Sequence, residues 1–289
     1  MSSHRVSTEA TVVREREFHF TKADFIFVQK MVYQQAGIAL ADHKVDMVYS
    51  RLSRRLRALQ LTTFESYRDY LDDNDDEIIH FINALTTNLT HFFREQHHFD
   101  FIRGKWMTEL CQQHQHDKRL RFWCAGCSTG EEPYSLAITV HEAMISFAGW
   151  DIKILATDLD TQVLAKARAA RYEADRVKDL SAERLKTWFV IEPDGEHYRV
   201  KDQVCKLVTF KQLNLMNAWP MRGPFDVIFC RNVVIYFDKP TQTKLFQRYY
   251  DLLADQGLLM LGHSESLGAM QTHFKTIGRT MFRKSAVAR

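Results

Sequence analysis

The stretch RLRFWCAGCSTGEEPYS, residues 119–135, decides the fold class of this 289-residue chain. Its first six residues predict a β-strand. Gly126 and Gly130 then predict a tight turn, and the residues from Glu131 onward predict a helix. A strand that passes through a glycine turn directly into a helix is typical of a sheet with crossover helices.

The same alternation of strand and helix continues to the C-terminal part of the chain. Further strand-like runs occupy 151–158, 206–214, 225–230 and 257–262. Helical patterns begin at Thr161 and at Pro240 between them, which predicts a parallel sheet. The last run, 274–284, predicts an antiparallel hairpin. We therefore expect an α/β domain over 101–289.

One segment, 171–205, interrupts this alternation. Within it, residues 188–200 form two β-rich arms around Pro193-Asp194-Gly195, a strong hairpin signal. We interpret 171–205 as a β-subdomain inserted into the sheet domain.

The residues before the α/β domain have apolar side chains at helical spacing. Four helices are predicted: from Thr21 to a stop at Gly37, from about Asp42 to Leu59, from Thr62 with Glu65 completing a capping box, and over 75–86. An all-helical N-terminal domain with its linker is thus expected over 18–100. The charged residues 1–17 are expected to form a disordered tail.

Composition argues against several classes of protein. Five cysteines, an odd number in a long chain, do not form a disulfide framework and fit a reducing compartment. No apolar run approaches the roughly 20 residues of a membrane span, and the N-terminal residues lack the apolar core of a signal peptide. We expect a cytoplasmic protein without membrane insertion. A net charge of +3 argues against nucleic acid as a partner.

The glycine turn after the first strand carries two carboxylates, Glu131 and Glu132. Dinucleotide-binding turns offer bare helix amides to a pyrophosphate and carry a third glycine, which is missing here. Two carboxylates would repel phosphate, so an NAD-dependent dehydrogenase is disfavoured. They suit S-adenosyl-L-methionine (AdoMet), which carries a sulfonium, an amine and a ribose. The alternative is an ordinary turn whose acidic residues stabilise the helix dipole.

Two other strand ends carry polar residues. Asp158 ends the second strand, where a carboxylate commonly binds a ribose, although it could equally be a helix N-cap, as could Asp160 or Thr161. Arg231 and Asn232 follow the fourth strand. The sequence there has no proline-rich motif of the kind that grips an amino nitrogen, which argues against adenine or amide nitrogen as the methyl acceptor.

No metal site is expected. Cys124 and Cys127 have zinc spacing, but no second pair exists and they lie inside the glycine turn. The pairs His97-His98 and His114/His116 lack a clear ligand set, so surface or packing roles are predicted.

Basic side chains cluster on the second predicted helix: Lys44, Arg51, Arg54, Arg55 and Arg57. Positions 44, 51 and 55 fall on one helix face. Such a face is usually only solvated, and the functional alternative is a docking surface for an acidic partner.

Three motifs together resemble the CheR family of chemotaxis receptor methyltransferases: TTNLTHFFRE (86–95), CAGCSTGEEPYS (124–135) and FDVIFCRNVVIYFD (225–238). The resemblance covers essentially the whole chain. It implies a Rossmann-like AdoMet-binding domain behind an all-α domain. It also implies an enzyme that uses AdoMet to convert receptor glutamates to methyl esters and releases S-adenosyl-L-homocysteine (AdoHcy).

The resemblance implies nine cofactor-binding residues: Asn88, Thr90, Arg94, Glu132, Asp158, Asn214, Leu215, Arg231 and Asn232. Among them, Glu132 would bind the amino-acid end of AdoMet and Asp158 the ribose. Asn214 and Leu215 would flank the adenine. For catalysis, the family's candidates near the transferred methyl group are Arg94 and Tyr236.

The resemblance also implies partners and a location. The cytoplasmic helical region of chemotaxis receptors would dock on the basic helix 42–59, and recruitment to receptor arrays would bring the enzyme to the membrane. In some relatives the 188–200 hairpin offers an edge strand to a receptor C-terminal tail peptide. Two alternatives stay open: a methyltransferase acting on another substrate, and a non-catalytic AdoMet-binding scaffold.

Overall fold

A computed structural model describes residues 16–144 and 148–285 of the chain. The predicted tail therefore lies largely outside the described residues. Its last two members, Arg16 and Glu17, form ion pairs with Asp46 and Arg57, so they belong to the helical domain. Among the described residues, no helix is both long and apolar enough to cross a membrane.

The N-terminal domain contains the four predicted helices. They are α1 (Lys22–Ala36), α2 (Val45–Ala58), α3 (Phe64–Asp73) and α4 (Asp75–Leu85). Gly37 ends α1 in the left-handed conformation, as predicted, with φ of 70°. Val32, Val48, Leu52 and Phe81 are fully buried at the centre of the domain's core.

The predicted capping box of α3 is wrong. Thr63, one residue later than expected, caps the helix, and its hydroxyl accepts the Ser66 amide. A start at Phe64 places Phe64, Tyr67 and Leu71 on one buried face. Packing of this apolar face thus decides which of the two adjacent threonines caps the helix.

A buried ion pair joins α2 to α4. The Arg55 guanidinium donates two hydrogen bonds, of 2.9 and 2.6 Å, to the carboxylate of Glu77, which is only 4% exposed. The Tyr67 hydroxyl donates a third, of 2.9 Å, to the same carboxylate. The pair therefore ties three helices together.

Replacing Glu77 with alanine is expected to destabilise the protein by about 2–4 kcal/mol, because the change leaves a half-buried guanidinium and a buried hydroxyl without an acceptor. Urea denaturation measures this loss. The matched control is Glu109→Ala, which breaks an exposed pair with Lys105 and is expected to change stability by less than about 1 kcal/mol. Equal effects of the two substitutions would contradict this expectation.

The α/β domain is built on a seven-stranded sheet. Its strands are β1 (Arg119–Ala125), β2 (Asp151–Asp158), β6 (Val208–Gln212), β7 (Phe225–Cys230), β8 (Leu253–Leu261), β9 (Phe274–Gly278) and β10 (Met281–Lys284). Their order is β6-β2-β1-β7-β8-β10-β9. The first five are parallel and the last two form the predicted antiparallel hairpin. The chain order reverses between β1 and β7, and ligands of such sheets bind at the carboxyl ends of the strands beside this point.

Helices cover both faces of the sheet. The main ones are α7 (Glu131–Ala143), α8 (Thr161–Ala169) and α12 (Lys239–Leu252). Two shorter helices, α5 (His97–Phe101) and α6 (Met107–Gln113), precede β1. Successive side chains of β1 enter opposite cores, with Phe122 on one side and Trp123 packed against Tyr249 on the other.

The insertion is a small antiparallel sheet of order β3-β5-β4. Its elements are β3 (Arg171–Glu173), α9 (Ala174–Val177), α10 (Ala182–Trp188), β4 (Phe189–Ile191), β5 (His197–Val200) and α11 (Asp202–Cys205). The hairpin predicted around Pro193-Asp194-Gly195 is confirmed as β4 and β5. The strand β4 lies at an edge of this sheet.

The linker between the helical domain and the α/β domain occupies 86–96, where the chain leaves the helical form. The side chains of Thr86 and Asn88 bind the carboxylate of Asp160, at 3.0 and 2.9 Å, and so hold this linker along the α/β domain. The helical domain is further anchored by a β-bridge between Ile38 and Phe237. These contacts hold the helical domain over the carboxyl ends of the parallel strands.

Candidate active site

A cavity of about 440 Å³ lies between the helical domain and the carboxyl ends of β1, β2 and β7. This volume falls within the usual range for small-molecule sites. The cavity is lined by all ten site residues that the family resemblance implied: Asn88, Thr90, Arg94, Glu132, Asp158, Asn214, Leu215, Arg231, Asn232 and Tyr236. Their convergence from five separate segments makes this cavity the candidate active site.

The glycine turn forms the floor of the cavity. Gly126 and Gly130 have φ of 87° and 96°, which L side chains rarely adopt. A Cβ at Gly126 would also collide with the side chain of Val233. Glycine is therefore required by both conformation and space at this position.

The two carboxylates of the turn have different roles, which corrects the prediction that both serve the ligand. Glu131 is fully buried and pairs with Arg176 and Thr129, away from the cavity. Glu132 lines the cavity and lies 3.1 Å from a guanidinium nitrogen of Arg231. Burial raises the pKa of Glu132, and Arg231 acts in the opposite direction. Of these two carboxylates, Glu132 is the one available to an amine in the cavity.

Arg231 connects three parts of the site. Besides Glu132, its guanidinium donates to the backbone carbonyl of Arg94 and lies 3.6 Å from the Glu95 carboxylate. Its side chain is almost completely buried. It thereby couples the end of β7 to α7 and to the linker.

Asp158 is not the N-cap of α8, since Asp160 has that role and accepts the amides of Gln162 and Val163. The Asp158 carboxylate accepts the amides of Ser128 and Asp160, at 2.8 and 3.0 Å. Burial raises its pKa to about 6. Each oxygen retains a lone pair for a further donor such as a ribose hydroxyl.

The linker and the segment after β7 both line the cavity. The Arg94 guanidinium donates a hydrogen bond of 2.9 Å to the Leu89 carbonyl. The Tyr236 hydroxyl lies 3.5 Å from the Thr87 carbonyl. Asn214 donates to the Gln35 carbonyl at 2.6 Å, beside the buried side chain of Leu215. The cavity is thus lined by both apolar and charged side chains.

The structure adds residues that the sequence did not indicate. His43 and Met47 of the helical domain line the cavity, because this domain closes it from above. Glu265 accepts backbone amides of the segment after β7. No spacing signal marks these residues, since their positions depend on how the two domains and the strand ends meet.

The predicted basic docking face is smaller than expected. Arg51 donates to the carbonyls that end α4, Arg55 is held by Glu77, and Arg57 pairs with Glu17. Lys44 and Arg54 remain exposed. Much of the basic cluster therefore holds the helical domain together.

One group of described residues, Glu95, His97 and His98, has atoms close enough to hold a metal ion. His98 is fully buried beside Thr280, as expected for a packing residue, and burial lowers its pKa to about 2. The guanidinium of Arg231 lies 3.6 Å from the Glu95 carboxylate and would repel a divalent cation. We assign no metal to this group.

The sheet order, the acidic residue in the glycine turn and the acidic residue ending β2 define the class of AdoMet-dependent methyltransferases with a Rossmann-like fold. Residues 23–86 match the family model "CheR methyltransferase, all-alpha domain", and residues 88–283 match "CheR methyltransferase, SAM binding domain", where SAM denotes AdoMet. The chain belongs to the CheR methyltransferase family, and its cofactor is AdoMet.

The chain is similar to several curated proteins along nearly its whole length. It is 45% identical to "Chemotaxis protein methyltransferase 2" of Pseudomonas aeruginosa, over 96% of this chain and 98% of that protein. It is 43% identical to the chemotaxis protein methyltransferase of Escherichia coli, over 90% of each chain. It is 42% identical to that of Salmonella typhimurium, over 98% of each.

Proposed function

We propose that this protein methylates glutamate side chains in the cytoplasmic helical region of chemotaxis receptors, for sensory adaptation. The observation that carries the proposal is the cavity in which Arg94 and Tyr236 face the same space as Glu132 and Asp158. This arrangement provides a cofactor subsite beside a positively charged group that suits an incoming carboxylate. The names of the curated relatives support a receptor as the acceptor.

The residues present fit the cofactor. The Glu132 carboxylate matches its amine, the lone pairs of Asp158 match the ribose hydroxyls, and Leu215 offers an apolar surface to the adenine. Asn88, Thr90, Asn214, Arg231 and Asn232 complete the wall. When bound, AdoMet supplies an electrophilic methyl group on a sulfonium.

The mechanism requires no general base. A glutamate side chain has a reference pKa of about 4.3 and is already an anion at neutral pH. Its oxygen forms the new carbon–oxygen bond as the carbon–sulfur bond breaks, and the bonding electrons pass to sulfur. Arg94 and Tyr236 orient the carboxylate, and such alignment of two reactants can lower a barrier by roughly 7–11 kcal/mol.

The test of this proposal is incubation of the protein with methyl-labelled AdoMet and receptor-rich membranes. Label that is released by base and maps to receptor glutamates is the expected result. Label on RNA or on a small molecule would point to another acceptor. Cofactor binding without transfer to any fraction would indicate a non-catalytic scaffold.

We assign receptor docking to the exposed part of the basic helix 42–59. Lys44 lines the cavity, and Arg54 is exposed further along α2. A receptor helix rich in glutamate complements these charges. Docking there would bring the enzyme from the cytoplasm to receptor arrays.

The hairpin 188–200 is the proposed site for a receptor tail peptide. Its edge strand β4 exposes Val190 and Ile191, at 44% and 60%, beside an edge that pairs with no other strand of the described residues. An extended peptide could pair with this edge and cover the two apolar side chains.

Ile191→Lys is expected to weaken binding of a receptor tail peptide about tenfold, because it replaces the apolar contact with a charge. Titration of a labelled tail peptide measures this. Ile79→Lys, which alters another exposed isoleucine, in α4, is the control and is expected to bind like the wild type. A wild-type protein that binds no receptor tail would contradict the assignment.

A further inference from the structure

The segment that follows β7 depends on one distant carboxylate. This segment, residues 231–237, carries Arg231, Asn232 and Tyr236, all of which line the cavity. Asn232 has a left-handed φ of 58°, and a single 3₁₀ turn, Val234–Tyr236, follows it. The first amides of such a turn have no partner within the turn and need an acceptor from elsewhere.

Glu265 supplies that acceptor from the segment after β8. Its Oε1 accepts the amides of Val233 and Val234, each at 2.9 Å, and that of Ile235 at 3.3 Å. Its Oε2 accepts the amide of Asn232 at 2.9 Å and that of Gly262 at 2.6 Å. One carboxylate thus receives five backbone hydrogen bonds.

The surroundings of Glu265 show that its charge faces the backbone alone. The side chain is 7% exposed, and no cation in the described ranges, 16–144 and 148–285, forms an ion pair with it. Burial raises its pKa, while the amides of Gly262 and Asn232 act in the opposite direction. A Cβ at Gly262 would lie 2.7 Å from the Asn232 amide nitrogen and 2.8 Å from Glu265 Oε2. The packing therefore leaves room for this carboxylate and little else.

We propose that Glu265 is a positioning residue for methyl transfer, which fixes the segment 231–237 so that Asn232 and Tyr236 stay on the wall of the cofactor cavity. The inference rests on the proposed function for its catalytic readout. Glu265 itself contacts neither cofactor nor acceptor in this proposal, because it acts through the backbone of the segment.

The test is a double-mutant cycle with Glu265→Gln and Tyr236→Phe. Glutamine places an amide donor against backbone donors, so Glu265→Gln is expected to lower kcat for receptor methylation about tenfold or more. In the Tyr236→Phe background the same change is expected to lower kcat less than about threefold. The hydroxyl of Tyr236, which the loss of Glu265 would displace, is already absent from that variant. Glu265→Asp, which keeps the carboxylate, is expected to recover part of the loss.

Two measurements separate positioning from a general loss of structure. Thermal unfolding identifies a temperature at which all variants are folded, and the rates are compared there. Glu183→Gln, at an exposed site on α10, is the control and is expected to match the wild type. Unchanged kcat in Glu265→Gln, or losses that multiply independently in the double mutant, would overturn the proposal.

A binding measurement keeps this inference distinct from the proposed function. Glu265→Gln is expected to weaken AdoHcy binding at least about fivefold, because Asn232 and Arg231 shift with the segment. This result does not depend on the identity of the acceptor. If the wild type binds AdoHcy but methylates no receptor, the proposed function fails, and an unchanged AdoHcy affinity in Glu265→Gln would still refute the role of Glu265.

Discussion

Replacing Arg94 with alanine is expected to lower the rate of methyl transfer roughly 100-fold while leaving the fold intact. Within the described structure its guanidinium donates only to the Leu89 carbonyl, so the fold depends little on it. The same guanidinium lines the cavity, where it can orient an arriving carboxylate. Loss of that alignment removes about 2.7 kcal/mol of transition-state stabilisation, the equivalent of a 100-fold change in rate.

Initial rates with labelled AdoMet and receptor fragments measure this effect. Arg94→Lys is the informative partner, because it keeps the charge and loses the planar fork that binds a carboxylate through two hydrogen bonds. We expect it to retain a small part of the activity. Turnover by Arg94→Ala equal to that of the wild type would reject the role of Arg94 in orienting the acceptor.

The second large effect is expected for Asp158→Ala, which should weaken AdoHcy binding about 100-fold. The carboxylate is nearly buried, and its remaining lone pairs are the acceptors that the cavity offers to ribose hydroxyls. Isothermal titration calorimetry measures the affinity. Asp226→Asn is a matched control, since Asp226 is a buried carboxylate of the same sheet that caps the Arg121 amide at the opposite end of β7.

The affinity for AdoHcy should also depend on pH. The pKa of Asp158 in the free protein is about 6, and ribose hydroxyls donate to its ionised form. Binding therefore favours the carboxylate, so affinity should be constant above pH 6 and should fall as the pH drops below 6. Asp158→Ala should lose this dependence. An affinity that rises as the pH falls would contradict the expectation.

Local patterns predicted the secondary structure well because each carries its own physical cause. Gly37 ends α1 through its left-handed conformation, and the apolar run of β7 forms a strand buried along its whole length. The choice between Thr62 and Thr63 failed because burial of Phe64 decides it. The conformation of the linker 86–96 could not be predicted, because contacts with Asp160, which is distant in the sequence, fix it.

In the candidate site, too, features with a local cause could be predicted, whereas features fixed by distant contacts could not. A strand end or glycine turn can be located from sequence, so Glu132 and Asp158 were found at the cavity. The different roles of Glu131 and Glu132 depend on Arg176 and Arg231, which contact them only in the folded chain. No sequence pattern indicates the role of Glu265, because it lies 33 residues from Asn232, whose amide donates a hydrogen bond to it.

The most direct test of the central claim is calorimetric titration with AdoHcy, followed by a crystal structure of the complex. The predicted result is one molecule bound per chain, with its amine at Glu132, its ribose at Asp158 and its adenine beside Leu215. No heat of binding, together with crystals in which AdoHcy is absent from this cavity, would contradict the account.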